Sequence, residues 1–450
     1  MATQEITEPI LLDSTGQEMV AALRSIKNAI TGNAGTIYGF YINGHESDPD
    51  SMVTYLADAV GLIPAHMDYA NDVFDYGLWE NAFFMPRPCM VKYDGTVDYY
   101  LDLNDFTKKS DGVTASDVAN TAYPGNAMME WGRDGKKIWV KIEPSSDKKS
   151  AAIYVADHRA DAGYHDWCFH NCNGVSVDHF YTPIYNGSLI DETVDNVTVS
   201  RLRSISGQQV SNKKTTTQER EYAQANNPST DALWDIETSA DWQLRNILLI
   251  LMAKSTDMQT AFGQGLNTGG NEANNNNFRT GIHNTKGLFY GTNSGTETSS
   301  DFSNAVKIFG RENAYGFQWQ RLIGWINDNG QKAKLTYGQE DGSTVMGYNL
   351  TGDGYISIGA VPSGASGGYI NEMEFLENGM FPKVASGSAD TYYGDGLWYN
   401  NSGVKVAHVG GSSSGGARVG AFCSVLNGAA SDSSWALGAS LSCKPLAERG

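Results

Sequence analysis

The segment Gly387–Cys443 restricts what this chain can fold into more than any other stretch. It holds 11 Gly, 11 Ser and only five charged residues. An interior glycine costs a helix roughly 1 kcal/mol relative to alanine, so this composition favours short strands joined by turns. Among the glycines stand Tyr392-Tyr393, Leu397-Trp398-Tyr399-Asn400-Asn401 and Ser433-Ser434-Trp435. Tyr and Trp give large contact area at low entropic cost, and Ser, Gly and Asn give adaptable hydrogen bonding. The segment therefore has the vocabulary of a recognition surface. The same composition also suits a Gly-rich β end whose aromatics are simply core.

A chain of 450 residues is expected to hold two or three domains. Gly at 50 against Pro at 12, with 23 Tyr against 16 Phe, suits a turn-rich, mainly β architecture. The formal net charge is −19, which speaks against binding nucleic acid or an anionic membrane through a basic face. Asp390, Asp395 and Asp432 against Lys405 and Arg418 leave residues 387–443 at −1, so the rest of the chain carries −18. A nearly neutral tip on an acidic body suits a contact surface. Met1 to Pro9 is polar and acidic, and no secretory signal is expected from it. The longest apolar run, Ile247 to Ala253, is far short of the ~20 residues of a membrane span, so no membrane insertion is expected. Five cysteines (Cys89, Cys168, Cys172, Cys423, Cys443) form no disulfide framework and point to a reducing cytoplasm as the site of synthesis.

Residues 10–31 read as a helix. Met19, Leu23, Ile26 and Ile30 make a heptad seam, Asp13 or Ser14 caps it, and Gly32 stops it. The expectation is a short oligomerisation segment; a helix docked on its own domain is the alternative. Strands are expected at Ile37–Ile42, Lys137–Ile142 and Ala151–Ala156, with a hairpin turn at Asn43-Gly44 and another around Asp94-Gly95. Met52 to Val60 reads as a short helix. A helix capped by Ser229 or Thr230 is expected through Ile236, and a second, with an apolar face, over Ser239–Lys254. Asn267–Asn284, with its four consecutive asparagines, reads as a surface insertion. Residues 286–443 read as short strands between Gly turns.

Three groups could carry chemistry. His165, Cys168, His170 and Cys172 lie within eight residues but lack the pair-then-pair spacing of a zinc site. Asp98 to Asp105 has Phe106 where a calcium loop needs an oxygen ligand, and reads as a surface acidic turn. Glu372, Glu374, Asp390 and Asp395 could supply a carboxylate pair for glycoside hydrolysis. No cofactor or metal is expected.

Phe309-Gly310-Arg311-Glu312-Asn313-Ala314-Tyr315-Gly316-Phe317-Gln318-Trp319 resembles the G-x-E-N-x-x-G-x-x-W stretch of C-type-lectin folds of the formylglycine-generating-enzyme type. Gly410-Gly411-Ser412 with Gly416-Ala417-Arg418 resembles their final strand pair, and Ala439 to Cys443 stands at the position of their closing strand. The enzyme branch of that fold uses a closely spaced cysteine pair near its C-terminus. Cys423 and Cys443 are twenty positions apart, so the resemblance implies binding without catalysis.

More specifically, the chain resembles phage tail-fibre adhesins, many of which carry a C-terminal variable region rewritten by a diversity-generating retroelement. The matching pieces include Gly125-Asn126-Ala127-Met128-Met129, Thr182-Pro183-Ile184-Tyr185-Asn186-Gly187 and Gly287-Leu288-Phe289-Tyr290-Gly291, and their order is the signal. The fold so implied is α+β and β-rich. A helical attachment segment occupies 1–35, a small β-rich domain 36–125 and a lectin-like receptor-binding domain 126–450, with its variable region at about 391–442. The function implied is a homotrimeric receptor-binding protein of the virion tail. It would recognise a bacterial surface protein or glycan and join other tail proteins through its N-terminus. Tyr393, Asp395, Trp398, Tyr399, His408, Arg418, Ser424, Asn427, Asp432 and Ser434 are the expected ligand-contacting residues. Glu312, Asn313, Gly316 and Trp319 are expected to be structural, with Trp319 in the core. The rivals are a glycan depolymerase and a purely structural tail protein.

Overall fold

Short strands are the main regular element of this molecule among the described residues. The structure, a computed structural model, describes residues 35–171, 175–228, 233–334, 347–361, 367–400 and 402–445. The expected helix over 10–31 lies outside the described residues, as do Cys172 and the Ser229–Thr230 cap. The described residues are β-rich with few helices.

Strand Ile37–Ile42 pairs with Val53–Ala57 on one side and Ala151–Ala156 on the other, and Trp139–Pro144 completes a four-stranded sheet. Ala151, Ile153 and Val155 are buried while Ala152 and Tyr154 are half-buried, the period of two that puts one strand face on a core. Met52–Val60 is not a helix. Val53 and Tyr55 are buried in register with Ile42 and Phe40, and cross-strand packing overrides the local preference. Asn43-Gly44 opens a longer loop over 43–52 instead of a two-residue turn, closed by the Asn43 N–H donating to the Met52 carbonyl at 2.8 Å.

A six-stranded sheet runs in the order Trp234–Ile236, Leu441–Cys443, Phe180–Pro183, Gly125–Trp131, Arg87–Lys92 and Val97–Tyr100. The hairpin at Asp94-Gly95 joins its last two strands, with the Asp94 carboxylate accepting from the Thr96 N–H at 3.0 Å. The boundary expected at 125 falls on the first residue of strand 125–131. That strand pairs with 87–92 before the boundary and 180–183 after it, so sheet hydrogen bonding crosses it. The segment ending at Ile236, expected as helix, is a strand. Trp234 and Ile236 are buried and Asp235 between them pairs with Arg220 at 2.6 Å.

The helix Ser239–Ala253 starts on a capping box. The Asp241 N–H donates to the Thr238 hydroxyl and the Thr238 N–H to the Asp241 carboxylate, both at 3.2 Å. It stops at Lys254, whose φ of 53° is left-handed. It is enclosed on all sides, Gln243, Arg245 and Asn246 included, where the sequence suggested one apolar face. Its leucines join Phe40 and Ile153 in the largest core, and Trp242 stacks on Trp325 with ring centroids 5.6 Å apart. The Asn-rich stretch is also tied to a core. Glu272–Asn277 is a short helix, Asn275 and Phe278 are buried, and Phe278 meets Phe317 at 4.3 Å.

The third sheet runs in the order Ile356–Ala360, Gln331–Lys334, Trp319–Asp328, Val404–Val409, Ser424–Gly428, Gly396–Tyr399 and Gly368–Tyr369. The short strand Leu437–Gly438 lies parallel to the start of 319–328.

Candidate functional site

Strands 396–399 and 424–428 are parallel, with Leu397 opposite Ser424, Trp398 opposite Val425 and Tyr399 opposite Leu426. Leu397, Ser424 and Leu426 are buried, Trp398 and Val425 half-buried, and Asn427 exposed. Trp398, Val425 and Asn427 therefore share the outer face of this sheet. Trp398 lays its indole across Gly396, where a Cβ would stand 2.5 Å from the ring and 3.0 Å from the Arg418 Cβ. Only glycine leaves that room. The Arg418 guanidinium lies 5.3 Å over the Tyr369 ring and 5.8 Å from the Trp398 ring. Trp319 meets Trp398 edge to face at 5.7 Å. All four side chains are half-buried. Among the described residues, neither the guanidinium of Arg418 nor the indole N–H of Trp398 has a hydrogen-bond or ion-pair partner.

The scaffold beneath is fixed by buried polar groups. The Ala421 carbonyl accepts from Trp242 Nε1 and Asn246 Nδ2, each at 3.1 Å. Gln259 Nε2 donates to the Ala417 carbonyl at 3.0 Å. The Asp395 carboxylate accepts the Phe422 N–H at 2.7 Å, and burial pushes its carboxyl up to about 7. The turn that carries Arg418 is thus held by the enclosed helix and its neighbours. The following loop is pinned too. Arg321 donates to the Asp432 carbonyl at 2.6 Å, the Lys213 N–H to the Ser434 carbonyl at 3.0 Å, and the Ala429 N–H to the Asp432 carboxylate at 2.9 Å.

The ten expected ligand-contacting residues divide. Trp398, Arg418, Asn427, Asp432 and Ser434 reach the surface at least in part. Tyr399 turns inward and packs against the core. Tyr393, Asp395, His408 and Ser424 are buried and cannot meet a ligand in this conformation. Tyr393 packs on Phe422 at 5.4 Å, and the Ser424 hydroxyl donates to the Phe422 carbonyl at 2.8 Å. The His408 ring lies against Gly428, and burial pushes its imidazole down to about 3, so it is neutral. Tyr369 and Trp319 belong to the surface group although the sequence did not single them out for it. Gly368–Tyr369 is only two residues long and joins the group by pairing with Leu397 and Gly396.

The four expected structural residues also divide. Glu312 is buried and accepts the Gly281 N–H at 2.8 Å and the His283 N–H at 3.0 Å, stitching that loop down. Gly316 has φ of 79°, and a Cβ there would stand 2.7 Å from the Leu266 carbonyl oxygen. Asn313 is buried, but its backbone N–H makes the bond, 2.7 Å to the Val306 carbonyl, while its side-chain amide has no partner among the described residues. Trp319 is half-buried on Trp398, not a core residue.

The other groups serve packing. Glu372 pairs with Lys149 at 2.7 Å and shares Lys383 with Glu374, at 3.6 and 3.5 Å. Asp390 is exposed and Asp395 enclosed. Cys168 donates to the Ala240 carbonyl at 3.1 Å, and His170 is buried 3.6 Å from Asp166. Cys423 and Cys443 are free and buried, and burial pushes both thiols up, which keeps them unreactive. A cleft of about 380 Å³ is lined by Asp94, Tyr100, Glu130, His179 and Tyr181, but its inner carboxylate, Glu130, is already held by Arg87 at 2.8 Å and Tyr100 at 3.0 Å. No protein-family model matches the chain, and no curated protein matches it.

Proposed function

We propose that this chain is a phage tail receptor-binding protein, with a C-type-lectin-like recognition domain that contacts a bacterial surface ligand through the outer face around Trp398 and Arg418. One observation carries this reading. Trp398 and Arg418 offer aromatic surface and hydrogen-bond donors with no partner among the described residues, on a scaffold fixed from below by Trp242, Asn246 and Gln259. Unused donors on a rigid platform suit binding, because little entropy is lost on contact. Asn427 shares the sheet face of Trp398, and Asp432 and Ser434 reach the surface at least in part in the Gly-rich segment that follows. The motif order and the roles of Glu312 and Gly316 favour the lectin-like relationship. In this reading the protein belongs to the virion tail as a homotrimer, attached through its N-terminus. A retroelement acting on the gene would leave a near-copy of its 3′ coding end beside a reverse transcriptase. The ion-paired Glu372 and Glu374 give a depolymerase no free acid pair.

The test is adsorption to host cells by virions carrying Trp398→Ala, Arg418→Ala or Asp432→Ala. At least the first two are expected to lose adsorption while the protein stays folded. Wild-type adsorption by all three would overturn the assignment.

A further inference from the structure

Resting on that receptor-binding reading, we infer that the Trp398–Arg418 corner takes a carboxylated sugar, so that the surface ligand is an acidic glycan. Arg418 and Trp398 themselves offer only donors. Arg418 has no acceptor atom, the indole of Trp398 has none, and no carboxylate pairs with either among the described residues. The nearest acid along strand 396–399 is Asp395, which is buried and engaged by the Phe422 N–H. The guanidinium carbon lies 5.3 Å from the Tyr369 ring centroid, and its N–H groups have no hydrogen-bond partner among the described residues. The edge of a guanidinium matches a carboxylate, which it can hold with two parallel bonds. A neutral sugar would leave the charge unanswered.

Beside the guanidinium, Trp398 and Trp319 meet edge to face and, with Tyr369, provide aromatic surface on which the C–H face of a sugar ring can stack. Their arrangement is built in, since the indole lies in the gap that Gly396 leaves. Four side chains make a site for one or two sugars, whereas a protein interface engages about 20–30 residues a side.

The experiment titrates the full-length protein with galacturonate, glucuronate, mannuronate and sialic acid tetrasaccharides. The same sugars with their carboxyls reduced to alcohols, and a hexaglutamate peptide, serve as contrasts. Calorimetry and tryptophan fluorescence report binding. At least one acidic sugar is expected to bind, its reduced form at least about tenfold more weakly, because a charge-assisted pair is lost. Arg418→Gln should reproduce that loss, and Arg418→Lys should recover part of it. Gly396→Ala, which pushes the indole aside, should weaken acidic and reduced sugars alike. The inference is overturned if acidic and reduced forms bind equally, if Arg418→Gln binds as wild type does, if no acidic sugar binds, or if hexaglutamate binds in their place. Host adsorption separates the two ideas. Loss of adsorption in Arg418→Gln without any acidic-sugar binding would leave the receptor-binding reading standing and remove only the ligand class. Sugar binding with adsorption intact in Arg418→Gln and Trp398→Ala would do the reverse.

Discussion

Trp319 and Trp325 sit six positions apart on one strand and show how little residue type alone says about energetic weight. Trp325 is fully enclosed between Trp242 and Phe381, with ring centroids at 5.6 and 5.5 Å. Trp325→Ala is expected to cost about 3–5 kcal/mol, the range for truncating a buried aromatic. Trp319 keeps part of its surface in water, and Trp319→Ala should cost about 1–2 kcal/mol, mostly by freeing Trp398. Urea denaturation of the two variants checks the order; equal losses would contradict it. Asp395 supports a pH prediction. Burial holds its carboxyl at about 7 against an ordinary 3.8, so the folded state keeps a proton that the unfolded chain has released. Its contribution is fully present below about pH 4, falls as pH rises towards 7, and is level above that. Asp395→Asn removes this dependence, so the variant should gain stability relative to wild type between pH 4.5 and pH 8. Glu297, raised by burial to about 7 as well, acts in the same direction and stays in both proteins. Glu237 acts oppositely. Burial works against its ionisation, but Arg245 and Arg311 more than offset that and hold it at about 2, so its contribution is lost only in strong acid. Parallel urea curves for wild type and Asp395→Asn at the two pH values would refute the assignment to Asp395.

The strand Leu441–Cys443 gives the third prediction. It lies between 180–183 and 234–236 and so completes a sheet whose other strands come from residues 87–236. Beside it, Lys444 donates to the Cys168 carbonyl at 2.7 Å and pairs with Asp241 at the start of the enclosed helix. Both charges are buried. Lys444→Met would leave the Asp241 carboxylate enclosed with only the Ser442 hydroxyl and the Thr238 N–H, at a cost of about 3 kcal/mol. Thermal melting and limited proteolysis should show the C-terminal strand and the helix loosening together; an unchanged melting temperature would rule out this coupling. Elements with a clear period or a strong turn signal were readable in advance. Ala151–Ala156 declared its alternation, Asp94-Gly95 its hairpin, and Ser239–Ala253 its length. Val53–Ala57 and Trp234–Ile236 were not readable, because three to five apolar-rich residues satisfy a helix or a strand equally until a partner strand is known. The candidate site was legible only to the same degree. Alternation says that Trp398 and Tyr399 face opposite ways, but not which of them meets the core. Tyr369 enters the group through a two-residue pairing that no local pattern announces.

Net charge connects the proposed recognition face to the molecule as a whole. A chain at −19 repels its own copies at long range, and salt at 0.1 M largely screens that repulsion beyond about 10 Å. One corner binding one or two sugars gives weak affinity, so a receptor-binding protein built this way needs several tips acting together. The heptad seam of Met19, Leu23, Ile26 and Ile30 is the segment we propose to supply them, with β-branched residues at both seam positions favouring more than two strands. Two heptads are too short to hold a trimer alone, so the folded bodies must add contact area. Deleting residues 1–35 should therefore weaken assembly while leaving the remaining fold intact, since the strand pairings and the enclosed helix join residues of 37–443 to one another. Sedimentation of the two forms at micromolar concentration, with circular dichroism on each, reads both halves of the prediction. In a binding assay on immobilised host cells, the shortened protein should keep the specificity set by Arg418 and Trp398 but dissociate at least tenfold faster, because rebinding through neighbouring tips is gone. Full-length protein that sediments as a monomer would refute the trimer.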